Sequence, residues 1–194
     1  GSADLAAAVS PVPFINAGDG PAQHPTQALL DLYTIKKEMG RLENLHVALA
    51  TDPLHSRTIR SLAMLLSLYE GNRLTFIGPK SLWAAPDLLE ELSKNGIEYE
   101  ETEDFQKGIE ADILYMNRLQ EERFSDHEEF EKLRKKYILT ADDLKGKNTL
   151  ILDPLPRVDE IDVSVDALPN AVYFRQVKNG VYVRMALLDL LLGS

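Results

Sequence analysis

Residues 24–27, His-Pro-Thr-Gln, have side chains suited to binding a small polar or anionic ligand. They follow a loop that contains Gly18 and Gly20, and Pro25 lies where proline is accepted, in the first turn of a helix. His24 and Gln27 are therefore held at a helix entrance, beside backbone N–H groups that attract negative charge. The same pattern is also typical of a capped core helix after a tight turn, and spacing alone leaves both interpretations open.

Two arginines and a glutamine form a second candidate set, and each follows a predicted strand. Arg57 comes after residues 46–51, and Arg118 and Gln120 come after residues 112–116. A planar guanidinium matches a carboxylate through two hydrogen bonds, so the two arginines could grip both ends of a dicarboxylate, with Gln120 as a further donor. The alternative is that each arginine pairs with one of the 31 acidic residues.

A third predicted strand, residues 149–152, is followed by Asp-Pro-Leu-Pro-Arg. Proline fixes the backbone at this point, so the carbonyl groups around Pro154 and Leu155 take defined directions. Three strand ends of this kind together favour a ligand site over independent surface ion pairs.

The elements that must position these residues alternate along the whole chain. Apolar spacing predicts helices over residues 25–39, 56–69, 82–95 and 181–192, and strands over residues 46–51, 73–77, 97–101, 112–116 and 149–152. This alternation predicts an α/β fold, a doubly wound parallel sheet with helices on both faces, which is Rossmann-like. Ligands of such sheets bind beyond the carboxyl ends of the strands, where the candidate residues occur.

Helix 25–39 is expected to bury a broad apolar face opposite a polar stripe. The apolar face consists of Ala28, Leu32, Ile35 and Met39 with Leu29 and Tyr33 beside them, and the polar stripe consists of Gln27, Asp31, Thr34 and Glu38. Residues 3–15 are interpreted as a lead-in. The charged segment 120–136 predicts a loop and an exposed, solvated helix. The apolar residues 181–192 predict a closing helix that must pack against another part of the protein.

Composition bounds the function. A length of 194 residues with 44% hydrophobic residues predicts one domain, or one and a half, with a real core. The formal charge of −10, with scattered basic residues, argues against nucleic acid or an anionic membrane as a partner. The absence of cysteine excludes disulfides and thiolate catalysis. No long apolar run or signal-peptide pattern occurs, and we expect a cytoplasmic protein.

Common cofactor and metal motifs do not occur in the sequence. Neither G-x-G-x-x-G nor a P-loop nor G-x-S-x-G occurs, and the four histidines do not have the spacing of metal ligands. We therefore expect no cofactor and no metal, and the fold alone does not give a function.

The candidate residues resemble a known family, the aspartate carbamoyltransferases. Residues 15–35 are similar to that family's H-P-T-Q signature, and residues 153–161 resemble its H-P-L-P-R-V-D-E-I segment. Residues 118–123 fit its R-x-Q-x-E-R pattern, and residues 173–188 match its C-terminal stretch. H-P-T-Q is shared with ornithine carbamoyltransferases, whereas the P-L-P-R-V-D-E-I and R-x-Q-x-E-R patterns point to the aspartate enzyme.

The resemblance implies roles for the side chains. His24 and Gln27 would contact the carbamoyl group, with His24 polarising its carbonyl oxygen as negative charge develops there. Arg57, Arg118 and Gln120 would hold the carboxylates of L-aspartate.

The resemblance also implies an activity and a domain layout. The backbone at Pro154 and Leu155 would orient the reacting groups while a carbamoyl group passes from carbamoyl phosphate to the aspartate amine, in pyrimidine biosynthesis, without a metal or covalent intermediate. Residues 1–23 would be a lead-in and loop, residues 24–40 an inter-domain helix, and residues 41–194 the aspartate-binding, C-terminal domain of a carbamoyltransferase.

Since only the end of the family's N-terminal carbamoyl-phosphate domain has a counterpart in these residues, we expect this chain alone to be inactive. The family implies a homotrimeric parent protein, with a regulatory subunit or a fused enzyme as further partners, and we expect the chain by itself to be monomeric.

Three positions depart from the family pattern. Leu54 replaces a lysine, Asn117 replaces a threonine, and Asp153 replaces a histidine. A carboxylate at residue 153 would repel anionic substrates unless a cation neutralised it. Two alternatives therefore stay open: a non-catalytic carbamoyltransferase-like scaffold or regulatory domain, and a carbamoyltransferase for another amino acid.

Overall fold

A parallel sheet lies at the centre of the protein. The computed structural model describes residues 1–121, 124 and 126–193. Within them the strands are β1 (His46–Ala50), β2 (Arg73–Ile77), β3 (Glu98–Thr102), β4 (Ile113–Tyr115) and β5 (Leu150–Leu152). Their order across the sheet is β3-β2-β1-β4-β5, and each neighbouring pair is parallel.

Helices connect the strands. They are α1 (Ser2–Val9), α2 (Pro25–Met39), α3 (Arg57–Leu66), α4 (Pro86–Lys94), α5 (Gln106–Ile109), α6 (His127–Lys136) and α7 (Tyr173–Leu192). Short 3-10 turns occur at Lys80–Leu82 and Val163–Ala167. Helix α4 begins at Pro86, later than the predicted start at residue 82, because proline is accepted in the first turn of a helix.

Both faces of the sheet are covered, which confirms the predicted fold class. Side chains along β1 alternate between two cores, because successive residues of a strand point to opposite faces. Val47 and Leu49 pack in the cluster that includes residues of α2, α3 and α4. Ala48 and Ala50 pack in the cluster on the other face, which includes residues of α5.

Helix α2 has the predicted bounds and buries Ala28, Leu32 and Ile35 as expected, but its polar side is largely buried as well. Asp31 and Thr34, expected in an exposed stripe, are fully buried, whereas Leu29 and Tyr33 are 36% and 43% exposed. The reason is α7, which presents matching polar side chains: Asn179 Nδ2 donates to Thr34 Oγ1 at 3.0 Å. A buried polar stripe is stable when each group finds such a partner.

Helix α7 begins at Tyr173, eight residues before the predicted start at residue 181. Its first part carries the buried polar residues Gln176 and Asn179, which interrupt the apolar spacing on which the prediction rested. Val181 and Met185 remain exposed within the described chain, so the expected packing of residues 181–192 against another part of the protein stays a prediction.

Two further segments differ from the sequence-based interpretation. The lead-in contains α1, a helix with no buried residue. The charged segment expected to be solvated contributes Phe130, which is buried together with Leu82 and Leu119 and packs against Phe124 and Leu133. Within the described residues, no helix is both long enough and apolar enough to cross a membrane.

Candidate functional site

A cleft of about 330 Å³ lies at the edge of the sheet where β1, β4 and β5 end. The candidate residues named from the sequence all line it: His24, Gln27, Arg57, Arg118, Gln120, Pro154 and Leu155. They meet because β4 pairs with both β1 and β5, so the loops that follow these strands are neighbours. Pro21, His55, Ser56, Thr58 and Asn117 complete the lining.

Arg57 is the first residue of α3, and the glycine-containing loop before α2 holds its side chain. Arg57 Nη1 donates to the carbonyl oxygen of Gly20 at 3.1 Å. Gly18 has a φ of +131°, and a Cβ at this position would lie 3.0 Å from Arg57 Nη1. The absence of a side chain at Gly18 therefore lets the guanidinium approach the loop closely.

Asn117 ties the end of β4 to the start of α3. Its Nδ2 donates to Thr58 Oγ1 at 2.9 Å and to Ser56 Oγ at 2.5 Å. Ser56 Oγ in turn accepts the backbone N–H of Ile59 and caps α3. The asparagine that departs from the family pattern thus fixes the loop containing Arg118 relative to the helix that begins at Arg57.

His55 lines the cleft and faces a buried carboxylate. His55 Nδ1 and Asp52 Oδ1 are 3.1 Å apart, and the His55 backbone N–H donates to the same oxygen at 3.1 Å. Burial raises the pKa of Asp52, while the bonds from His55 act in the opposite direction. The sequence analysis did not select His55 as a site residue. The feature that could have identified it is its position after β1, two residues before Arg57.

His24 is neutral in this environment. Burial, followed by the positive charges of Arg57 and Arg184, lowers its pKa to about 4. The backbone N–H of His24 donates to Ser61 Oγ at 2.8 Å. Its Nδ1 is buried, with no hydrogen-bond partner among the described residues. A neutral imidazole keeps one N–H donor and one acceptor nitrogen, which suits it to polarise a carbonyl oxygen.

Gln27 extends into the cleft from the first turn of α2 and is 7% exposed. Its Nε2 donates to Asp31 Oδ1 at 2.8 Å, one helical turn further along α2. The orientation of the Gln27 amide therefore depends on a carboxylate beneath the cleft.

Asp153 does not place an exposed charge beside the cleft. It is 1% exposed, its Oδ1 accepts the backbone N–H of Leu155 at 2.7 Å, and Leu155 has a φ of +55°. Burial, followed by the charge of Glu160, raises the pKa of Asp153 well above its usual range. The neutral form is thus favoured, and the expected repulsion of anions does not hold.

The third departure lies outside the cleft. Leu54 is part of a neighbouring groove with Pro53 and Arg60, and it is not among the residues that line the cleft. Glu122 and Arg123, the end of the R-x-Q-x-E-R pattern, lie outside the described residues. In the described part of the chain, no cluster of three or more histidines, aspartates or glutamates is arranged to hold a metal ion.

Comparison with protein-family models decides the relationship. The model described as the Asp/Orn binding domain of aspartate/ornithine carbamoyltransferase matches residues 43–191. The chain belongs to this family. The family's carbamoyl-P binding domain model matches residues 1–37.

Relatives of this chain are named as aspartate carbamoyltransferases. The aspartate carbamoyltransferase catalytic subunit of Aliivibrio fischeri (strain MJ11) is 52% identical, and the match covers 100% of this chain and 64% of that protein. The chloroplastic aspartate carbamoyltransferase 3 of Pisum sativum is 45% identical, with 99% of this chain and 50% of that protein covered. This chain therefore spans between half and two thirds of the length of these relatives.

Solved structures agree with this assignment. The catalytic subunit of M. jannaschii aspartate transcarbamoylase superposes with a TM-score of 0.93 at 45% identity, covering 100% of this chain and 63% of that one. The Trypanosoma cruzi aspartate transcarbamoylase in complex with N-(phosphonacetyl)-L-aspartic acid has a TM-score of 0.87 at 34% identity, with 95% and 61% covered.

Proposed function

We propose that this chain is the aspartate-binding part of an aspartate carbamoyltransferase, which transfers a carbamoyl group from carbamoyl phosphate to the amine of L-aspartate in pyrimidine biosynthesis. One observation carries the proposal: two arginines, a glutamine and the His-Pro-Thr-Gln segment line a single cleft in a chain of this family. Residues 1–23 then form a lead-in and loop, residues 24–40 an inter-domain helix, and residues 41–194 the aspartate-binding domain.

Aspartate binding is assigned to the side of the cleft formed after β1 and β4. Arg57 and Arg118 line it from neighbouring loops, and each guanidinium can bind one carboxylate through two parallel hydrogen bonds. The Gln120 side chain adds an amide that can donate to either carboxylate. The cleft volume of about 330 Å³ falls within the usual range of about 300–1,000 Å³ for small-molecule sites.

Carbamoyl transfer is assigned to the α2 side of the cleft. The aspartate nitrogen attacks the carbamoyl carbon, the phosphate leaves with the electron pair of the C–O bond, and the proton released by the amine passes to the departing phosphate. As the carbonyl oxygen gains negative charge, a neutral His24 stabilises it by donating a hydrogen bond. The carbonyl oxygen of Gln27 accepts from the carbamoyl amine, and the backbone at Pro154 and Leu155 orients the two reactants.

The phosphate group is assigned to the part of the longer relatives that this chain does not match. The T. cruzi relatives have been solved in complex with carbamoyl phosphate, and with carbamoyl phosphate and aspartate together. We propose the same two substrates here, and a homotrimeric full-length protein. The alternative substrate ornithine carries a cationic side chain, which two arginines would disfavour, so the pair Arg57 and Arg118 supports aspartate.

The test is carbamoyl-aspartate formation by the full-length protein from carbamoyl phosphate and L-aspartate, with L-ornithine as the competing acceptor. Arg118→Ala should raise the KM for aspartate about 10- to 100-fold, since a hydrogen bond to a charged group contributes about 1.5–3 kcal/mol.

The matched control is Arg175→Ala, because Arg175 pairs with Glu38 on the surface and does not line the cleft. This variant should keep the KM of the unaltered protein. A folded full-length protein that forms no carbamoyl-aspartate, or that prefers ornithine, would contradict the proposed function.

A further inference from the structure

Asp31 is a fully buried carboxylate that three side chains bind from different elements. Gln27 Nε2, on α2, and Gln176 Nε2, on α7, donate to its Oδ1 at 2.8 and 2.7 Å. The Tyr115 hydroxyl, at the end of β4, donates to its Oδ2 at 2.9 Å. Asp31 itself does not line the cleft, so it does not contact a ligand bound there.

The hydrogen bonds continue from Asp31 to the opposite wall of the cleft. Gln176 uses its amide nitrogen for Asp31, and its Oε1 accepts the backbone N–H of Asp153 at 2.9 Å. Asp153 directly precedes Pro154 and Leu155, which line the cleft. One buried carboxylate is therefore connected to the α2 wall through Gln27 and to the β5 wall through Gln176.

The chemistry of the carboxylate decides how both amides are turned. An ionised carboxylate only accepts hydrogen bonds, so each glutamine must turn its NH₂ group toward it. For Gln176, this leaves the carbonyl oxygen for Asp153. For Gln27, it leaves the carbonyl oxygen as the atom available to the cleft, where a carbamoyl group would offer N–H donors.

We propose that Asp31 is a positioning residue for carbamoyl transfer, which turns the Gln27 amide so that its oxygen accepts from the carbamoyl amine, and which sets the Pro154-Leu155 backbone through Gln176. This inference rests on the proposed function, because the carbamoyl amine is the group that Gln27 would recognise.

The protonation state of Asp31 decides whether it orients Gln27, and it depends on the titratable and charged groups around Asp31. Tyr115 faces it from β4 and Arg184 from α7, and Asp153 is the nearby second carboxyl. Burial raises the pKa of Asp31 to about 7, while its three hydrogen bonds and the charge of Arg184 oppose that rise. The acceptor-only form that orients Gln27 therefore predominates above about pH 7.

Asp31→Asn in the full-length enzyme tests the role. Asparagine keeps the size but replaces one acceptor oxygen with a donor, so one of the three donors loses its partner and the Gln27 amide is free to turn over. We expect kcat to fall about tenfold or more and the KM for carbamoyl phosphate to rise, with the KM for aspartate unchanged. The rise of kcat with pH around pH 7 in the unaltered enzyme should disappear in this variant.

Thr34→Val is the matched control. Thr34 is one turn further along α2, is equally buried and bonds to Asn179 of α7, but it does not contact Gln27. A purely structural role for the α2–α7 contact predicts the same kinetic change for both variants. The positioning role predicts that Thr34→Val lowers stability while keeping both the kcat and the pH profile of the unaltered enzyme.

A spectroscopic measurement separates this inference from the proposed function. The side-chain NH₂ resonances of Gln27, assigned by NMR, should shift with an apparent pKa about 7 in the unaltered protein and not in Asp31→Asn. A folded full-length protein that is inactive but shows this titration would refute the proposed function and leave the positioning of Gln27 intact. An active protein in which the chemical shifts of the Gln27 NH₂ resonances do not change with pH would overturn the inference, even if Asp31→Asn failed to fold.

Discussion

Tyr115→Phe removes one donor from the buried carboxylate of Asp31 without changing the apolar packing of the ring. The Tyr115 hydroxyl donates to Asp31 Oδ2 at 2.9 Å, and both side chains are fully buried. The variant therefore tests whether Asp31 changes its charge inside the folded protein. It should destabilise the protein by an amount that depends on pH.

The magnitude follows from the charge of the acceptor. A hydrogen bond to a neutral group contributes about 0.5–1.5 kcal/mol, and one to a charged group about 1.5–3 kcal/mol. Tyr115→Phe should therefore cost about 1 kcal/mol below pH 7, where Asp31 is protonated, and about 2 kcal/mol above it. The difference of about 1 kcal/mol corresponds to a rise of about 0.7 in the folded-state pKa of Asp31.

The raised pKa of Asp31 makes the stability of the protein depend on pH through proton linkage. The pKa of Asp31 is about 7 in the folded protein, above the ordinary value of 3.8. A raised acid pKa means that the folded state holds its proton longer, so stability is greatest below the ordinary pKa and falls as the pH rises toward 7. Removing a donor raises the folded pKa further, which extends this loss to higher pH.

The assay is urea unfolding of the unaltered protein and of Tyr115→Phe on both sides of pH 7. Tyr137→Phe is the matched control, because Tyr137 is equally buried but its hydroxyl has no partner among the residues described. It should cost little at either pH. Equal costs for Tyr115→Phe at both pH values, or an equal cost for Tyr137→Phe, would refute the assignment of a titrating carboxylate at Asp31.

Two further substitutions test contacts around the cleft and in the core. Gly18→Ala should raise the KM for aspartate about tenfold in the full-length enzyme, because its Cβ would meet the Arg57 guanidinium. Gly96→Ala is the control with a positive φ of +71°, and it should leave that KM unchanged, because a Cβ there meets open space away from the cleft. Asn72→Ala should lower the free energy of unfolding by about 3 kcal/mol in urea titrations, since its buried amide bonds three backbone groups, and a loss below about 1 kcal/mol would contradict this account.

The fold and the lining of the cleft were accessible from the sequence because both depend on local patterns. Apolar runs and helical spacing gave the parallel sheet, and in such a sheet the ends of neighbouring strands meet at one edge. Arg57, Arg118 and Pro154 follow strands that pair directly with one another, so a local property, the position after a strand, predicted a tertiary one. What these residues bind stays a prediction.

The hydrogen bonds of Asp31 and Thr34 beneath the cleft could not be predicted from the sequence, because their partners lie far along the chain. Asp31 and Thr34 have the spacing of a polar helix face, and a polar face on one helix normally points to solvent. They are buried because Gln176 and Asn179, far along the chain, supply matching partners. Nothing local in either segment shows that the two polar stripes meet, and the same polar residues concealed the start of α7.

The separation in sequence of the partners of Asp31 has a consequence for how the protein folds. Tyr115 is 84 residues from Asp31, and Gln176 is 145 residues from it. Closing such long loops costs conformational entropy before any contact repays it, so contacts of this kind form slowly. During synthesis, Asp31 leaves the ribosome long before Gln176 is made. The orientation of Gln27 is therefore fixed late in folding, when α7 docks and Gln176 reaches Asp31.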